Sequence, residues 1–220
     1  MPPSLNPPVS PFRSPSDGLI AIDARVAVAP VDRTGGGPSG HPGVAIRAYP
    51  KEWERHTTLQ DGTAILVRPF RPEDEPLYAP FFAAVTDNDV RLRFFAPVKE
   101  FGNAFLARLI QIDYARAMAF IAIEDSSGKM LGVVRLHRNT NYDTAEYAIL
   151  VRSDLKGRGL GWLLLQLIIV YARTEGLQAI EGQVLRENTT MLAMCKEFGF
   201  VIVPDPQDVA ICIAKLSIVP

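Results

Sequence analysis

From residue 61 onward, apolar positions repeat along the chain at two alternating periods, and the alternation sorts it into strands and helices. Asp61-Gly62 predicts a turn, and Ala64 to Arg68 a first strand. Glu73-Asp74-Glu75 then supplies acidic residues to a helix first turn, where the helix dipole favours them. That helix carries the stripe Leu77, Tyr78, Phe81, Phe82 and Val85, and a broken helical stretch follows over Arg91 to Phe95 and Asn103 to Ile112. Ala119 to Glu124 and Met130 to His137 read as a hairpin closed by Ser126-Ser127-Gly128-Lys129. Ala145 to Arg152 is a further strand, and Leu160 to Arg173 is a helix apolar nearly all round, as expected of one buried against a sheet. Gly176 caps it, and a strand over Gln178 to Leu185 follows. A helix over Asn188 to Phe198, stopped by Gly199, leads to closing strands at Phe200 to Val203 and Val209 to Ile218. Hairpins combined with two strand–helix units predict a layered α/β fold with a mixed sheet. The repeated strand–helix–strand units of a dinucleotide-binding domain are absent.

The first 50 residues differ in kind. They hold ten of the 18 prolines and the run Gly35-Gly36-Gly37, a composition that buries too little apolar surface to offset backbone ordering. Asp17 to Val28 is an exception, reading as a turn and an alternating strand without a neighbour to pair with. The expected division is a Pro/Gly-rich tail over 1–60 and a folded domain over 61–220.

Composition narrows the function. A formal net charge of −1 over 220 residues gives no electrostatic reason for nucleic acid or an anionic membrane as partner. The longest apolar run, Trp162 to Ala172, is broken by Gln166 and falls short of the roughly 18 residues a membrane helix requires. Met1 opens no basic segment followed by an apolar run, so no secretory signal is expected. Cys195 and Cys212 form no CxxC pair, and a reduced, cytoplasmic protein is the expectation. His41, His56 and His137 have no metal-ligand spacing, so no metal is expected.

The candidate chemistry centres on Lys156-Gly157-Arg158-Gly159-Leu160-Gly161, which joins a strand directly to the apolar helix. Glycines let the main chain approach an anion closely, and the helix N-terminus adds roughly half a positive charge. A pyrophosphate suits such a site; a plain tight turn is the other reading of the same glycines.

This loop resembles the acyl-CoA loop of the GNAT superfamily of N-acetyltransferases, with Lys156 where Gln or Arg is usual. Glu187-Asn188-Thr189-Thr190-Met191 and Lys196-Glu197-Phe198-Gly199-Phe200 are similar to the closing motifs of the same domains. Arg68-Pro69 with Arg71-Pro72-Glu73-Asp74, Arg91-Leu92-Arg93-Phe94-Phe95 and Ile112-Asp113-Tyr114 look like the GNAT domain of bacterial Pat-type protein acetyltransferases. In many of those, an NDP-forming acyl-CoA synthetase-like region precedes it. Leu5-Asn6-Pro7 and Asp17 to Val28 are similar to the last strand of its ATP-grasp part, and Tyr49-Pro50-Lys51-Glu52 to the junction.

The resemblance implies a three-layer α/β/α fold with a mixed, mainly antiparallel sheet, acetyl-CoA as cosubstrate, and transfer of its acetyl group to an amine. The Pat-type likeness implies a lysine on a protein as acceptor, such as an AMP-forming acyl-CoA synthetase. Glu146 is then the catalytic base, with Glu181 on the next strand as rival. A lysine of pKa about 10.4 costs roughly 4.6 kcal/mol to deprotonate at pH 7, which a positioned base and a dry site offset. Backbone groups of Leu150, Val151 and Arg152 would meet the pantetheine arm in a gap between two strands, which the sequence itself does not display. Lys156, Gly157, Arg158, Gly159, Leu160 and Gly161 would hold the pyrophosphate, and Asn188, a good N-cap in any case, would add a contact to the arm. Cys195 stands where many such enzymes carry an acidic tyrosine, so the general acid is unassigned. A GNAT enzyme for a small-molecule amine and a non-catalytic acyl-CoA sensor are the alternative functions.

Overall fold

The computed structural model describes residues 48–95, 109 and 112–218. The segment resembling an ATP-grasp strand and most of the stretch from Asn103 to Ile112 lie outside the described residues. Eight strands form one sheet in the order β1-β2-β3-β4-β5-β6-β8-β7. They are β1 Arg55–Thr58, β2 Ala64–Pro69, β3 Ala117–Glu124, β4 Met130–Arg138, β5 Thr144–Val151, β6 Ala179–Leu185, β7 Val201–Pro204 and β8 Ile211–Ser217. Helices α1 Glu75–Ala83 and α2 Asp87–Phe94 precede β3; α3 Leu160–Thr174 follows β5 and α4 Thr189–Glu197 follows β6. All neighbouring pairs are antiparallel except β5 with β6. This is the mixed, mainly antiparallel sheet expected from the sequence.

Side chains alternate across each strand, so the sheet has two apolar faces, each with its own core. Phe120, Val134, Leu136 and Tyr147 pack with Leu164, Leu165 and Ile168 of α3 and with Cys195 of α4. On the other face Ile121, Val133 and Leu150 pack with Tyr78, Phe81 and Phe82 of α1 and Val90 of α2. The near-uniform apolarity of α3 follows from this burial: Leu160, Leu164, Leu165, Leu167 and Ile168 are all fully buried.

One strand precedes the segment where the sequence places the domain's start. β1 pairs with β2 from Arg55↔Val67 to Thr58↔Ala64. Its sequence, Arg-His-Thr-Thr, is mostly exposed and lacks apolar alternation, so main-chain pairing alone identifies it. Just before it, Trp53 packs edge-on against Tyr171 of α3 at 5.2 Å between ring centres and lies 5.7 Å from Phe120. The Arg68 to Asp74 motif also proves structural: Arg68 forms a buried two-point ion pair with Asp74, both bonds 2.6 Å long.

The feature that positions the site is the junction of β5 and β6. The two strands pair only at Thr144↔Ala179, Ala145↔Ile180 and Glu146↔Glu181. Beyond that point β5 stays paired with β4 as far as Val151↔Gly132, and β6 with β8 as far as Leu185↔Ile211. The strands therefore splay immediately after Glu146. Tyr147 is 3% exposed, and a Cβ on Gly182 would lie 2.7 Å from its ring, so residue 182 must lack a side chain. Gly182→Ala should accordingly destabilise the fold by about 1–3 kcal/mol through overpacking. Thermal unfolding of the single variants and of Gly182→Ala/Tyr147→Leu tests this. The expected result is that the second substitution recovers part of the loss.

Candidate active site

The splay opens into a cleft of about 890 Å³. Glu146, Leu150, Val151, Lys156, Gly157, Gly159, Gly161 and Asn188, eight residues singled out from sequence, line it together. The side chains of the other three lie elsewhere. Arg152 is ion-paired with Asp154 at 2.8 Å, Arg158 with Asp61 at 2.7 Å, and Leu160 is wholly buried in the core.

Glu146 is the last β5 residue paired with β6, and its side chain is exposed at the apex of the splay. Register places His137, Glu146, Glu181 and Lys215 in one row across β4, β5, β6 and β8, hence on one face. Glu181, the rival base, is ion-paired with Lys215 at 3.7 Å and is absent from the cleft lining. Glu146 combines the apex position with access to the cleft.

The glycine loop sits at the other end. Gly157 has φ of +79° and Gly159 +85°, values that favour glycine, and Gly159 is the N-cap of α3. First-turn N–H groups of a helix have no acceptor within it, so those of Leu160, Gly161 and Trp162 are available to an anion. Gly161 has no side chain nearer than Met194 Sδ, 3.9 Å from where a Cβ would be. A larger residue there would project from the first turn of α3 without backbone strain.

Two contacts hold the loop, and neither is visible in sequence patterning. The β1–β2 turn reaches it through Gln60, whose amide would lie 3.1 Å from a Cβ on Gly159, and through the Arg158–Asp61 pair. Backbone and side-chain hydrogen bonds from Thr63, then that of Arg158, hold the Asp61 carboxyl down at about 2. On the opposite wall the ammonium of Lys156 pairs with Asp89 of α2. Asp89 is 6% exposed and also accepts from Ser153 Oγ, while Ser153 Oγ accepts from the Thr86 N–H at 2.8 Å. Burial opposes ionisation of Asp89, but bonds from Lys156, Ser153 and Thr86 outweigh it and hold the carboxyl below its usual range. The lysine at the motif's first position is thus the loop's anchor to α2.

Near α4, Asn188 Oδ1 accepts from the Met191 N–H at 3.2 Å, which makes it the N-cap. Cys195 is fully buried, its Sγ 3.1 Å from Tyr147 Oη, and it does not line the cleft. Burial raises its thiol, with the Tyr147 bond acting the other way. Arg91 of α2 is ion-paired with Glu187 of the β6–α4 turn at 2.5 Å, joining two walls of the cleft. Arg93, read from sequence only as part of a motif, also lines it.

Asp89→Asn should loosen the loop, lowering stability by about 1–3 kcal/mol and weakening the affinity of the glycine loop for an anionic ligand. Because the folded-state pKa is depressed, the contribution of Asp89 is complete above about pH 4 and is lost as pH falls through that lower value. Loop-dependent affinity should therefore be flat from about pH 5 to 8 in the wild type, as titration calorimetry across that range would show.

The comparisons agree with this geometry. A family model described as the Acetyltransferase (GNAT) family matches residues 79–200. An acetyltransferase of Pseudomonas aeruginosa is 31% identical over 163 residues, covering 73% of this chain and 88% of that relative. Acetyltransferase Pat of Mycolicibacterium smegmatis is 30% identical over 129 residues, 58% of this chain but only 38% of that longer relative. The crystal structure of the GNAT domain of S. lividans PAT superposes with a TM-score of 0.71 at 26% identity, covering 77% of this chain and 99% of the other. With more than half its length matched by the family model, and the splayed pair and glycine loop meeting in one cleft, the chain belongs to the GNAT family of acetyltransferases and is an acyl-CoA-dependent acyltransferase.

Proposed function

We propose that this protein transfers the acetyl group of acetyl-CoA to the side chain of a lysine on a folded protein, with Glu146 as general base. The supporting observation is that β5 and β6 part directly after Glu146, so the reactive end of the cleft and its base share one address. The pantetheine arm enters the splay beside β5, where the backbone of Leu150 and Val151 is free of β6. The pyrophosphate rests on the N–H groups at Gly157, Gly159, Leu160 and Gly161, and the other amide edge of Asn188 faces the arm. Arg152 and Arg158 contribute main chain rather than charge, since their side chains are ion-paired elsewhere.

Glu146 takes a proton from the lysine ammonium, directly or through one water. The neutral amine attacks the thioester carbonyl and the C–N bond forms; as the tetrahedral intermediate collapses the C–S bond breaks, and the second nitrogen proton passes to the departing thiolate, directly or through water. Cys195, at the position where a tyrosine is usual, does not line the cleft, so the proton for the departing sulfur comes from the nitrogen or from water.

The acceptor side supports a protein substrate. Beyond β6 the face that carries Glu146 is open among the described residues, with Gln183, Lys215, Val201 and Val203 all exposed. A lysine protruding from a folded surface can reach Glu146 across it. The Pat-type resemblance points to an AMP-forming acyl-CoA synthetase as that surface.

Gly161→Glu should abolish acetyl-CoA binding in calorimetry while leaving the unfolding temperature close to wild type, because the anion would project toward the pyrophosphate. Unchanged affinity would move the phosphate site elsewhere. Glu146→Gln should keep acetyl-CoA affinity and lower kcat by roughly 10²–10⁴-fold, with the basic limb of the pH–rate profile lost. Assays on purified acetyl-CoA synthetase, its active-site lysine variant and a panel of polyamines and aminoglycosides test the acceptor. Turnover on the small amines with none on the synthetase would refute the protein acceptor and leave the cofactor site standing.

A further inference from the structure

Two guanidinium groups meet beside the reactive end of the cleft. Arg135 projects from β4 opposite Ala148 of β5, and its Nη1 donates to the carbonyl of Leu109. Arg93, from the last turn of α2, lines the cleft together with Glu146 and Ala148. It also lines a void of about 10 Å³ between α1, α2 and the sheet, shared with Tyr78, Arg135, Ala148 and Leu150. Tyr78 is 1% exposed, and among the described residues its hydroxyl has no close hydrogen-bond partner, with the charge of Arg135 acting on it from nearby. Among the described residues, neither arginine is within ion-pair distance of a carboxylate. Burial, then the charge of Arg135, pushes Arg93 down to about 10, with Glu146 and Tyr78 acting in the opposite direction.

Holding two half-buried like charges close together is costly, and so is a buried hydroxyl without a partner. Packing alone does not account for either, since apolar residues would fill the same space more cheaply. The other cation lining the cleft, Lys156, is already neutralised by Asp89. Among the described residues Arg93, which lies over the Phe94 ring at 4.7 Å, is therefore the cleft cation without a carboxylate partner, and Arg135 behind it strengthens the positive field. The position also matters: Ala148 is two residues past Glu146 on the same face of β5, where the acyl group must lie if Glu146 is the base.

We propose that Arg93, backed by Arg135 and the Tyr78 hydroxyl, recognises a carboxylate at the reacting end of the cleft. The void itself is too small for that group, so the carboxylate lies on the cleft side of Arg93. It has two possible sources: the far end of a dicarboxylic acyl thioester such as malonyl-CoA, or a carboxylate next to the acceptor amine. In the second case Glu146 and Arg93 match the ammonium and carboxylate of the acceptor, charge for charge. The chemistry is unaltered: the acyl C–S bond breaks, the C–N bond forms, the amine proton passes to Glu146, and the carboxylate is unchanged. This inference rests on the acyltransferase reading with Glu146 at the acyl end.

The test measures kcat/KM of the full chain in two arms. One compares malonyl-CoA with isovaleryl-CoA, its neutral match in shape, on a single lysine peptide. The other uses acetyl-CoA and compares acceptors that differ only by a carboxylate: free α-amino acids against their amides, and lysine beside Asp against lysine beside Asn. At least a tenfold preference for the carboxylate is expected in one arm, and that arm identifies the source. Arg93→Gln should cut the preference at least tenfold, and Arg93→Lys should retain part of it. Ratios taken within each protein cancel any loss of folded enzyme. No preference in either arm, or a preference that survives Arg93→Gln, overturns the proposal while acetyl transfer stands. Absence of turnover with every thioester would overturn the underlying reading as well.

Discussion

Everything in this molecule depends on two neighbouring strands parting after three residue pairs. A parallel pair buried between helix layers would ordinarily continue to the end of both strands, because unpaired backbone in an interior is expensive. Here each strand keeps its outer partner, β4 for one and β8 for the other, so only the inner edges are left open. Those edges retain the hydrogen-bonding capacity of a sheet with no protein strand to use it. An extended, amide-bearing ligand is the natural complement, and pantetheine has that character. The same parting leaves Glu146 as the last residue at the join, which puts a carboxylate at the mouth of the gap without any loop to position it.

The walls around that gap are fixed by polar contacts that cross between elements. Asp89 gathers Lys156, Ser153 and the cap of α2 into one knot, the β1–β2 turn holds the glycine loop from the other side, and Arg91 meets Glu187 over the cleft. These are ion pairs of mixed exposure, and exposed ones contribute little to global stability. Their effect is geometric. They set the spacing between α2, the glycine loop and α4.

Much of this was legible in the chain itself. The succession of strands and helices along the chain after residue 64, the turn glycines and the helix following the loop all follow from local pattern, since each element buries a face that its spacing announces. Glu146 stands out in the sequence from its place on the strand leading into the loop together with the family resemblance, and register puts it at the end of the β5–β6 pairing. What escaped were features created by encounter between distant segments. Arg-His-Thr-Thr has no apolar alternation, so β1 exists only because β2 offers it an edge. The splay requires the Tyr147 ring to lie against Gly182, 35 positions away, and nothing in either segment signals the other. Asp89 and Arg93 belong to Asp-Asn-Asp-Val-Arg-Leu-Arg-Phe, a strongly polar stretch that reads as a solvated helix until its position over the sheet is known.

The polar β1 strand also changes how the sheet meets the rest of the cell. Were the chain cut at residue 61, β2 would become the outer strand, and its unpaired backbone would flank Ile65 and Val67, both fully buried here. An apolar strand with an open edge is a template for pairing with other chains. The four residues Arg55 to Thr58, charged or hydroxylated and mostly exposed, put a hydrophilic border in that place. Trp53, anchored on Tyr171 and Phe120, pins the border down. Trimming this segment would bare that apolar edge to self-association and would also release the β1–β2 turn, with Gln60, from the glycine loop that it holds.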